Sequence, residues 1–534
     1  MKEYTENARR DVQLPVCDRT VTTDLSGEFS LPDYQPEIKR LLRIGASVLP
    51  PVRYVAGDNV EMGGSMDYFV LYMGNDNRLY CAPLATDYRF AVPTEGGASI
   101  ADGEMVSTCD IVPEMITGRV LAPRRMNIKC RLRSRVKAYR DGSVGFDMNE
   151  GLSPASVETL SDTVEACRLY QRVGEMMPLA DDMILSPSDG EMRVVCAEGQ
   201  VMVTEVAAGN DMVNCRGEVM LKLTLCPMDR VIDVAVMERS GEGGGYGEQA
   251  SPVPVEPPVV VTRRIPFAQA IDVPGVTPAC DACAHGTCSE LAVEVEEGRL
   301  HTDLGVVLEV LAQKNETVAY VKDMYSTRKE MSCRYEVHAV ERAMRCINGN
   351  FTLSDSLTLA EAGIDPACRV IDAVATPYAE ALTVDRGRGV LTGRCRCHLL
   401  LTKDGEYTSA EIEVPFRYET DAAVEGVEPD FDGSVKAVTC RARMDGERVG
   451  IDAELAVMLR LVSDGQIRTL GDVSFGSDVT RRRGEYVICF PSPDDTLWSV
   501  AKRYHAPLAT LSAANQLSTT DVESTLHGVG YLIV

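Results

Sequence analysis

The sequence contains no apolar run long enough to cross a bilayer, which would take about 20 consecutive apolar residues in a helix. Residues Met1 to Asp24 also lack the apolar core of an ordinary secretory signal peptide, because charged side chains interrupt them throughout. We therefore expect a soluble protein that is made in the cytosol and has no membrane span.

Positive charge is scarce. The 54 lysines and arginines are outnumbered by 80 aspartates and glutamates, which gives a formal net charge of −26. Nucleic-acid binding depends on basic surface that releases counterions from the phosphates. The charge balance therefore argues against nucleic acid as a partner.

Motifs of common catalytic sites are also missing. The sequence has no phosphate-binding loop, no H-E-x-x-H and no G-x-S-x-G. Its glycine-rich stretch at 241–247 carries Glu242 and is followed by Glu248, and these charges would repel a phosphate. Acidic residues abound, but no pair is singled out as the two carboxylates of a glycosidase. We expect a protein that is not an enzyme and needs no cofactor.

Disulfides are not expected, although the chain has 18 cysteines. Cys395 and Cys397 share the apolar face of a predicted strand with Leu399, and Cys130 has a similar position in another strand. Such placement is typical of buried thiols that act as small apolar side chains in a reducing compartment. Later oxidative cross-linking stays open as an alternative.

One cluster of metal-ligating residues is compact: Cys280, Cys283, His285 and Cys288. Thiolates and an imidazole at this spacing can close a tetrahedral zinc site. Structural zinc sites usually draw their ligands from two separated pairs, however, and a single short loop is cramped. A structural zinc ion and an ordinary loop with reduced cysteines are both retained as interpretations.

Apolar residues alternate with polar ones along most of the chain. Ile128, Cys130 and Leu132, for example, fall on one face of a predicted strand. Period-two alternation with frequent turns predicts β-sandwiches or barrels with one wet face. Outside the C-terminal segment we expect helices only near Pro36–Arg43 and Val157–Arg172.

A basic stripe runs along one of these predicted strands, at Lys129, Arg131, Arg133, Arg135 and Lys137. Alternate residues of a strand project from the same face. The stripe could dock an acidic protein or an anionic membrane surface. The alternative is a solvated face, or one neutralised by acidic strands opposite.

Three stretches of the chain show the same order of turn and strand signals. Each has a glycine-punctuated hairpin, at 56–64, 208–217 and 385–393, where glycine supplies the positive φ of a tight turn. We expect three repeats at 1–170, 171–330 and 331–475, a flexible insertion at 239–258, a linker at 476–483 and a final module at 484–534.

Several strings within the repeats are distinctive. They are L-P-D-Y-Q-P-E-I at Leu31–Ile38, Pro-Phe at 266–267 and 415–416, and V-K-D-M-Y-S-T at Val321–Thr327. In these elements the repeats resemble the SPOCS domain of spore-forming bacteria. Only the first copy has the complete Leu-Pro-Asp-Tyr string.

The final module, Gly484 to Val534, has the order strand, helix, helix, strand. We expect Asp494 or Asp495 to cap the first helix, and Asn515 to end the second in a left-handed conformation. The string D-T-L-W-S-V-A-x-x-Y, which starts at Asp495, and the later N-x-L closely resemble a LysM module. The expected fold class is therefore mostly β, with three tandem SPOCS-like sandwich or barrel repeats before a small βααβ module.

LysM modules bind glycans that contain N-acetylglucosamine, and some dock on proteins. The family's usual glycine before Asp-Thr is Asp494 here, and its usual Pro-Gly turn is replaced by Leu526–Val529. Both differences argue against sugar binding and leave protein docking intact. Trp498, the only tryptophan, is either core or an exposed anchor. The resemblance places the ligand surface on two sides, at Asp494, Asp495, Thr496 and Leu497, and at Asn515, Gln516 and Leu517.

SPOCS repeats followed by one LysM resemble the layout of spore-coat morphogenetic proteins of the SipL type. The resemblance implies a protein of the mother-cell cytoplasm at the forespore surface. Its partners would be the ATPase that forms the basement of the spore coat, and other coat proteins. The alternative is a protein that binds peptidoglycan of the spore cortex or wall through its LysM.

Overall fold

The computed structural model describes residues 10–94, 105–145, 156–185, 191–228, 257–296, 298–423, 430–480 and 487–534. Within these ranges the chain is mostly β, and its two α-helices lie in the C-terminal module. The predicted fold class, mostly β with a small helical module at the end, is confirmed. No helix in the described part of the chain is long and apolar enough to span a membrane.

The first part of the chain forms two antiparallel sheets, which we call the first sandwich. Its strands are β1 (Arg10–Ser30), β2 (Ile38–Val48), β3 (Val52–Ala56), β4 (Asn59–Gly74), β5 (Leu79–Pro93), β6 (Met105–Ala122) and β7 (Arg125–Val144). One sheet has the order β1-β7-β6. In the other, β4 lies between β5 and the consecutive strands β2 and β3.

The second sandwich repeats this plan. Its strands are β8 (Val157–Val173), β9 (Met177–Ile184), β10 (Met192–Ala208), β11 (Met212–Pro227), β12 (Val259–Asp272), β13 (Asp281–Glu296) and β14 (Arg299–Ser326). One sheet has the order β10-β11-β12. In the other, β14 lies between β13 and the consecutive strands β8 and β9.

The third sandwich also consists of two antiparallel sheets, each with three strands. Its strands are β15 (Lys329–Thr358), β16 (Arg369–Asp385), β17 (Arg388–Lys403), β18 (Glu406–Ala423), β19 (Asp430–Asp445) and β20 (Arg448–Asp478). The sheet orders are β16-β17-β18 and β15-β20-β19. In each sandwich one apolar core fills the space between the two sheets.

The cysteines occupy these cores as the alternation predicts. Cys130, Cys395 and Cys397 are almost completely buried among aliphatic side chains. All eighteen cysteines are free thiols. Their contribution to the fold is therefore that of small apolar side chains.

Two segments predicted as helices are strands, β2 and β8, so those predictions were wrong. β2 shifts its register against β4 between Ile38 and Arg40, and again between Leu41 and Arg43. β8 pairs with β14, which has a shift of its own between Val321 and Asp323. The extra residue of that shift, Lys322, lies on β14 and leaves β8 itself regular. Each bulge of β2 moves its own apolar face by one residue. Apolar residues then fall three and four apart, as they do in a helix.

The glycine-punctuated hairpins are present in all three sandwiches. Gly57 has a φ of 61° in the β3–β4 turn, and Arg386 and Gly387 have φ of 51° and 77° in the β16–β17 turn. In the second sandwich Asp211 (φ 56°) takes the left-handed position. Aspartate tolerates this conformation better than most residues.

The division into domains stays a prediction. The expected boundaries near 170 and 475 fall inside β8 and β20, and the boundary near 330 falls inside β15, close to its start. Residues 239–256 of the expected insertion and 481–483 of the expected linker lie outside the described residues.

All three sandwiches contribute side chains to several contact regions, among them one around Arg460 and one around Cys196. At the first, which we call the Arg460 junction, the fully buried Arg460 of the third sandwich donates to the Tyr139 hydroxyl of the first (3.0 Å) and to Gln313 Oε1 of the second (3.0 Å). Its charge is balanced by Asp432 (2.5 Å) and Glu341 (2.9 Å). The second, the Cys196 junction, joins Leu42, Leu71, Cys196, Leu400 and Tyr407.

Candidate functional site

The C-terminal module is a small βααβ unit. It consists of β21 (Ile488–Cys489), α1 (Leu497–Arg503), α2 (Leu508–Asn515) and β22 (Leu532–Ile533), and β21 pairs antiparallel with β22. Leu497, Val500 and Ala501 are buried in its core. Their spacing of three and four residues places them on one apolar face of the helix.

Thr496, and neither Asp494 nor Asp495, caps the N-terminus of α1. Its side chain accepts a hydrogen bond from the Ser499 N–H (3.1 Å), and the Ser499 hydroxyl accepts one from the Thr496 N–H (2.9 Å). The aspartate cap was a wrong prediction, because the Asp495 carboxylate accepts from Arg503 instead. Asp495 is buried in this role and is part of the framework of the module.

Gln516, and not Asn515, is the left-handed residue that ends α2, with a φ of 55°. The Asn515 side chain is engaged by β22: its Oδ1 accepts from the Ile533 N–H (2.7 Å), and its Nδ2 donates to the Ile533 carbonyl (2.8 Å). The prediction for Asn515 was therefore wrong by one residue. A ligand could reach this amide only if it displaced β22.

The module packs against the second sandwich through α1. The Trp498 indole Nε1 donates to Asp323 Oδ2 (2.8 Å), and Lys502 Nζ donates to Asp323 Oδ1 (2.6 Å). The Tyr335 hydroxyl donates to the same Oδ1 (2.6 Å). Asp323 lies at the β-bulge of β14 that follows Val321, and bulges redirect side chains in this way.

Tyr325 extends the contact. Its ring meets the Trp498 ring edge-on, with 5.0 Å between centroids, and its hydroxyl donates to the Ala506 carbonyl (2.8 Å). Asp323 and Tyr325 both belong to the Val321–Thr327 string. The sequence singles that string out without assigning it a role, and the structure makes it the surface on which the module rests.

Polar contacts surround this apolar centre. His505 Nδ1 lies 2.8 Å from the Ser326 carbonyl oxygen. The Glu158 carboxylate accepts from the Leu508 N–H (3.2 Å). The first turn of α2 has no acidic residue of its own, so this contact places a negative charge at the positive end of the helix dipole.

The charge of Asp323 is maintained by its donors. Burial acts to raise its pKa, but the hydrogen bonds from Lys502, Trp498 and Tyr335 outweigh burial, so the pKa is lowered. The carboxylate is therefore ionised at neutral pH, and its bonds to the module are charge-assisted. Trp498 is only 5% exposed, and it anchors the module to its own chain.

A comparison with known families agrees with this geometry. Residues 492–524 match the LysM domain family. LysM domains are binding domains, for peptidoglycan and other carbohydrate or for protein. No curated protein and no solved structure matches the chain.

The predicted ligand surface of the LysM module is only partly accessible. Asp494 and Gln516 are exposed, and Thr496 and Leu517 are half-buried. Leu497 is buried. The first turn of α1 is joined to the segment that follows α2 by a hydrogen bond from the Trp498 N–H to the Val522 carbonyl (3.0 Å).

A second face of the LysM module is apolar and exposed. Ile488 pairs with Ile533 across the two strands, and continuing the register places Phe490 opposite Tyr531 on the same face. Ile488, Phe490 and Tyr531 are 58%, 75% and 58% exposed. We call these four residues the apolar face.

The basic stripe of β7 is divided between solvent and the third sandwich. Lys129 and Arg131 are exposed, and Arg131 pairs with Asp24 of the neighbouring strand (2.8 Å). Lys137 is only 2% exposed and lies 2.5 Å from Asp430 of the third sandwich. Acidic residues of the same chain therefore neutralise the inner part of the stripe.

Arg133 and Arg135 link the stripe to the third sandwich as well. The Arg135 guanidinium donates to Asp430 (2.8 Å), and Arg133 donates to the Ala379 carbonyl (3.1 Å). Arg133 also lies over the Tyr378 ring, 5.5 Å from its centroid. This part of the stripe therefore packs against another sandwich of its own chain.

The structure does not bring the four predicted zinc ligands together. Cys283, His285 and Cys288 lie along the extended strand β13, where Cys283 and Cys288 point to opposite faces and are about 16 Å apart. Cys280 and Cys288 pack in the core of the second sandwich. Within the described ranges no group of three or more His, Cys, Asp or Glu residues is placed to hold a metal ion.

His285 instead faces a cavity of about 580 Å³ between the sandwiches, which Asp110, Glu309 and Lys436 also line. Burial raises the pKa of Asp110 to about 6 and that of Glu309 to about 7. It lowers the pKa of Lys436 to about 8. Burial and Lys436 also lower the pKa of His285. No local sequence pattern indicates this cluster, because its members come from three different sandwiches.

Proposed function

We propose that this chain is a non-enzymatic sporulation protein whose LysM module docks on the ATPase basement of the spore coat. The sandwiches would then help to assemble or encase the coat, in the mother-cell cytoplasm at the forespore surface. The proposal draws on the resemblance of the repeats to SPOCS domains and on the LysM match at 492–524. A chain of several β-domains raises the local concentration of binding surfaces once one module is anchored.

The apolar face is the observation that favours a protein over a glycan as the partner of the module. Phe490 and Tyr531 are large side chains that remain exposed although the other side of the module packs on the second sandwich. Exposed aromatic residues on a folded module are typical anchors of protein interfaces. Trp498 is engaged within the chain, so a partner would bind beside it and not through it.

Peptidoglycan binding is the second candidate, and one observation favours it. Asp494 and Gln516, on the two loops where LysM families bind glycan, are still exposed. Nearby Ser518, Thr519 and Thr520 are exposed as well, and hydroxyl and amide groups suit a sugar. In this alternative the chain would bind N-acetylglucosamine glycans of the spore cortex or wall.

The test uses the full chain, because α1 rests on the second sandwich. The double variant Phe490→Ser, Tyr531→Ser alters the apolar face, and Asp494→Lys, Gln516→Ala alters the loops. Tyr34→Ser serves as the matched control, since Tyr34 is 83% exposed far from the module in sequence. Binding is measured to polymers of the coat-basement ATPase and to purified peptidoglycan.

We expect the apolar-face variant to bind the ATPase at least about tenfold more weakly, while the loop variant and Tyr34→Ser bind like the unaltered chain. Peptidoglycan binding that only the loop variant loses would support the second candidate. Equal ATPase binding by all variants would overturn the assignment of the apolar face.

A further inference from the structure

Two thiols from different sandwiches are in contact at the Cys196 junction. Cys81 lies near the start of β5, Cys196 lies on β10, and their Sγ atoms are 3.2 Å apart. A disulfide has an S–S distance of about 2 Å. The two sulfurs therefore need to approach by only roughly 1 Å to bond.

The surrounding contacts hold the two strands together at this point. Arg193, near the start of β10, donates to the Leu79 carbonyl (2.9 Å). Its guanidinium also lies over the Tyr80 ring, 4.8 Å from the centroid. Leu79 and Tyr80 directly precede Cys81, so the contact between the thiols is supported on both strands.

A charged group also lies at this junction. The buried Arg43 donates to Glu198 and Asp372. The hydrogen bond with Cys81, together with burial, raises the pKa of the Cys196 thiol well above its usual value, and Arg43 only partly opposes this rise, so access and not charge decides which thiol an oxidant meets. Cys81 is partly exposed, whereas Cys196 is only 5% exposed. A small oxidant therefore reaches Cys81 first.

We propose that Cys81 and Cys196 form a site of oxidative modification, a disulfide that links the first sandwich to the second. With hydrogen peroxide as the oxidant, the Cys81 thiol gives up its proton and its sulfur attacks one peroxide oxygen. The O–O bond breaks, the departing hydroxide takes up that proton, and a sulfenic acid and one water form. The Cys196 sulfur then attacks the Cys81 sulfur. The S–O bond breaks, and a second water leaves with the Cys196 proton. Each sulfur loses one electron overall, and both peroxide oxygens are reduced to water.

Two other pairs of neighbouring thiols are less accessible to a dissolved oxidant. Cys395 and Cys397 have sulfurs 4.0 Å apart, but they are two residues apart on one strand and fully buried. Cys283 of the second sandwich and Cys346 of the third lie in one apolar cluster, and both are buried. These pairs are shielded from a dissolved oxidant, so the site at Cys81 should react before them.

The test treats the reduced full chain with hydrogen peroxide, blocks the remaining thiols with N-ethylmaleimide and maps linked peptides by mass spectrometry without reduction. We expect the first two of the 18 thiols to disappear together, in a peptide pair that contains Cys81 and Cys196. Cys81→Ser and Cys196→Ser should abolish this pair. Cys215→Ser should leave it unchanged, because Cys215 is a buried core thiol of the same sandwich as Cys196.

Oxidation should also raise the urea midpoint of unfolding, and dithiothreitol should reverse the rise, because the bond closes a loop between positions 115 apart in sequence. The proposal is overturned if the first linked peptides contain other cysteines. It is equally overturned if Cys81 in the unaltered chain proceeds to sulfinic acid without linkage. The mapping in the unaltered chain decides the outcome even if a variant fails to fold.

Discussion

At the residue scale, Asp323 connects the LysM module to the rest of the chain. One carboxylate accepts from an indole, an ammonium group and a phenol, contributed by Trp498, Lys502 and Tyr335. A buried donor that loses its acceptor incurs the full cost of desolvation. The contact should therefore be sensitive to this one side chain.

We predict that Asp323→Ala loosens the module, because it leaves the Trp498 indole and the Lys502 ammonium group without their acceptor. Trp498 is the only tryptophan, so its fluorescence emission should shift to longer wavelength as the ring becomes hydrated. Asp472→Ala is the matched control, since that exposed carboxylate bonds to the next backbone N–H. An unshifted emission in Asp323→Ala would contradict the docking role.

Glu309 makes stability depend on pH. Its pKa is raised from 4.5 to about 7, mainly by burial, with Asp110 adding to the rise while Gln171 and Lys436 oppose it. The folded state therefore binds this proton more tightly than the unfolded state. The stabilisation that Glu309 adds to the free energy of unfolding is complete below pH 4.5 and is lost as the pH rises through about 7.

We predict that Glu309 contributes a fall of the urea midpoint between about pH 5 and pH 8, and that Glu309→Gln removes this contribution. His285, which lies 3.5 Å from Glu309 and has a lowered pKa, contributes in the opposite direction, so the comparison is between the pH profiles of the variant and the unaltered chain. The full shift corresponds to roughly 3 kcal/mol. Asp110 titrates in the same direction, so adding Asp110→Asn should flatten the profile further. Glu294→Gln, an exposed control on β13, should leave the slope unaltered. A slope that Glu309→Gln does not change would disprove the assignment.

At the element scale, a glycine meets an aromatic ring of the neighbouring strand in every sandwich. A Cβ at Gly64 would collide with Tyr88, one at Gly217 with Phe267, and one at Gly393 with Phe416. The Gly217 and Phe267 pair and the Gly393 and Phe416 pair lie directly opposite each other in register. In both Pro-Phe strings the phenylalanine ring therefore covers a glycine of the neighbouring strand.

We predict that Gly393→Ala destabilises the third sandwich by about 1–3 kcal/mol, as overpacking of a core does. The added Cβ would lie 2.2 Å from the Tyr378 carbonyl oxygen, a backbone atom that cannot rotate away. Gly450→Ala is the control in the same sandwich, where the nearest atom is 3.9 Å away. Thermal melting compares the two. Equal melting temperatures would show that the strand shifts without cost.

At the scale of the whole molecule, buried charges specify how the sandwiches meet. Arg460 is completely buried and contacts groups of all three sandwiches. A buried ion pair often adds little net stability, but removing one partner leaves an uncompensated charge. The Arg460 junction should therefore tolerate no single neutral substitution.

We predict that Arg460→Met lowers the stability of the chain by about 3–5 kcal/mol. Asp432 and Glu341 would stay buried and share only one counter-charge, the Lys137 ammonium group 3.6 Å from each. Arg443→Met, at an exposed position of β19, should have little effect. Adding Asp432→Asn and Glu341→Gln to Arg460→Met should restore part of the loss. Urea denaturation followed by circular dichroism measures all three, and an unaffected Arg460→Met chain would rule out this role of the junction.

The sequence by itself determined the features that depend on local order. Alternation along the chain specifies strands with one apolar face, the hairpin turns follow from glycine and its neighbours, and the spacing of Leu497, Val500 and Ala501 specifies α1. These features are local because each depends on residues a few positions apart. Bulges limited this local prediction, since β2 shifts register twice and its apolar residues then imitate helical spacing.

Only the tertiary structure decided which surfaces meet. Asp323 and Trp498 are 175 positions apart in sequence, and Cys81 and Cys196 are 115 apart. Nothing in either local string identifies its partner. The basic stripe likewise binds Asp430 and Asp432 of the third sandwich, which a strand pattern cannot indicate. Long-range pairing depends on how the sandwiches pack together, and packing is a property of the folded chain as a whole.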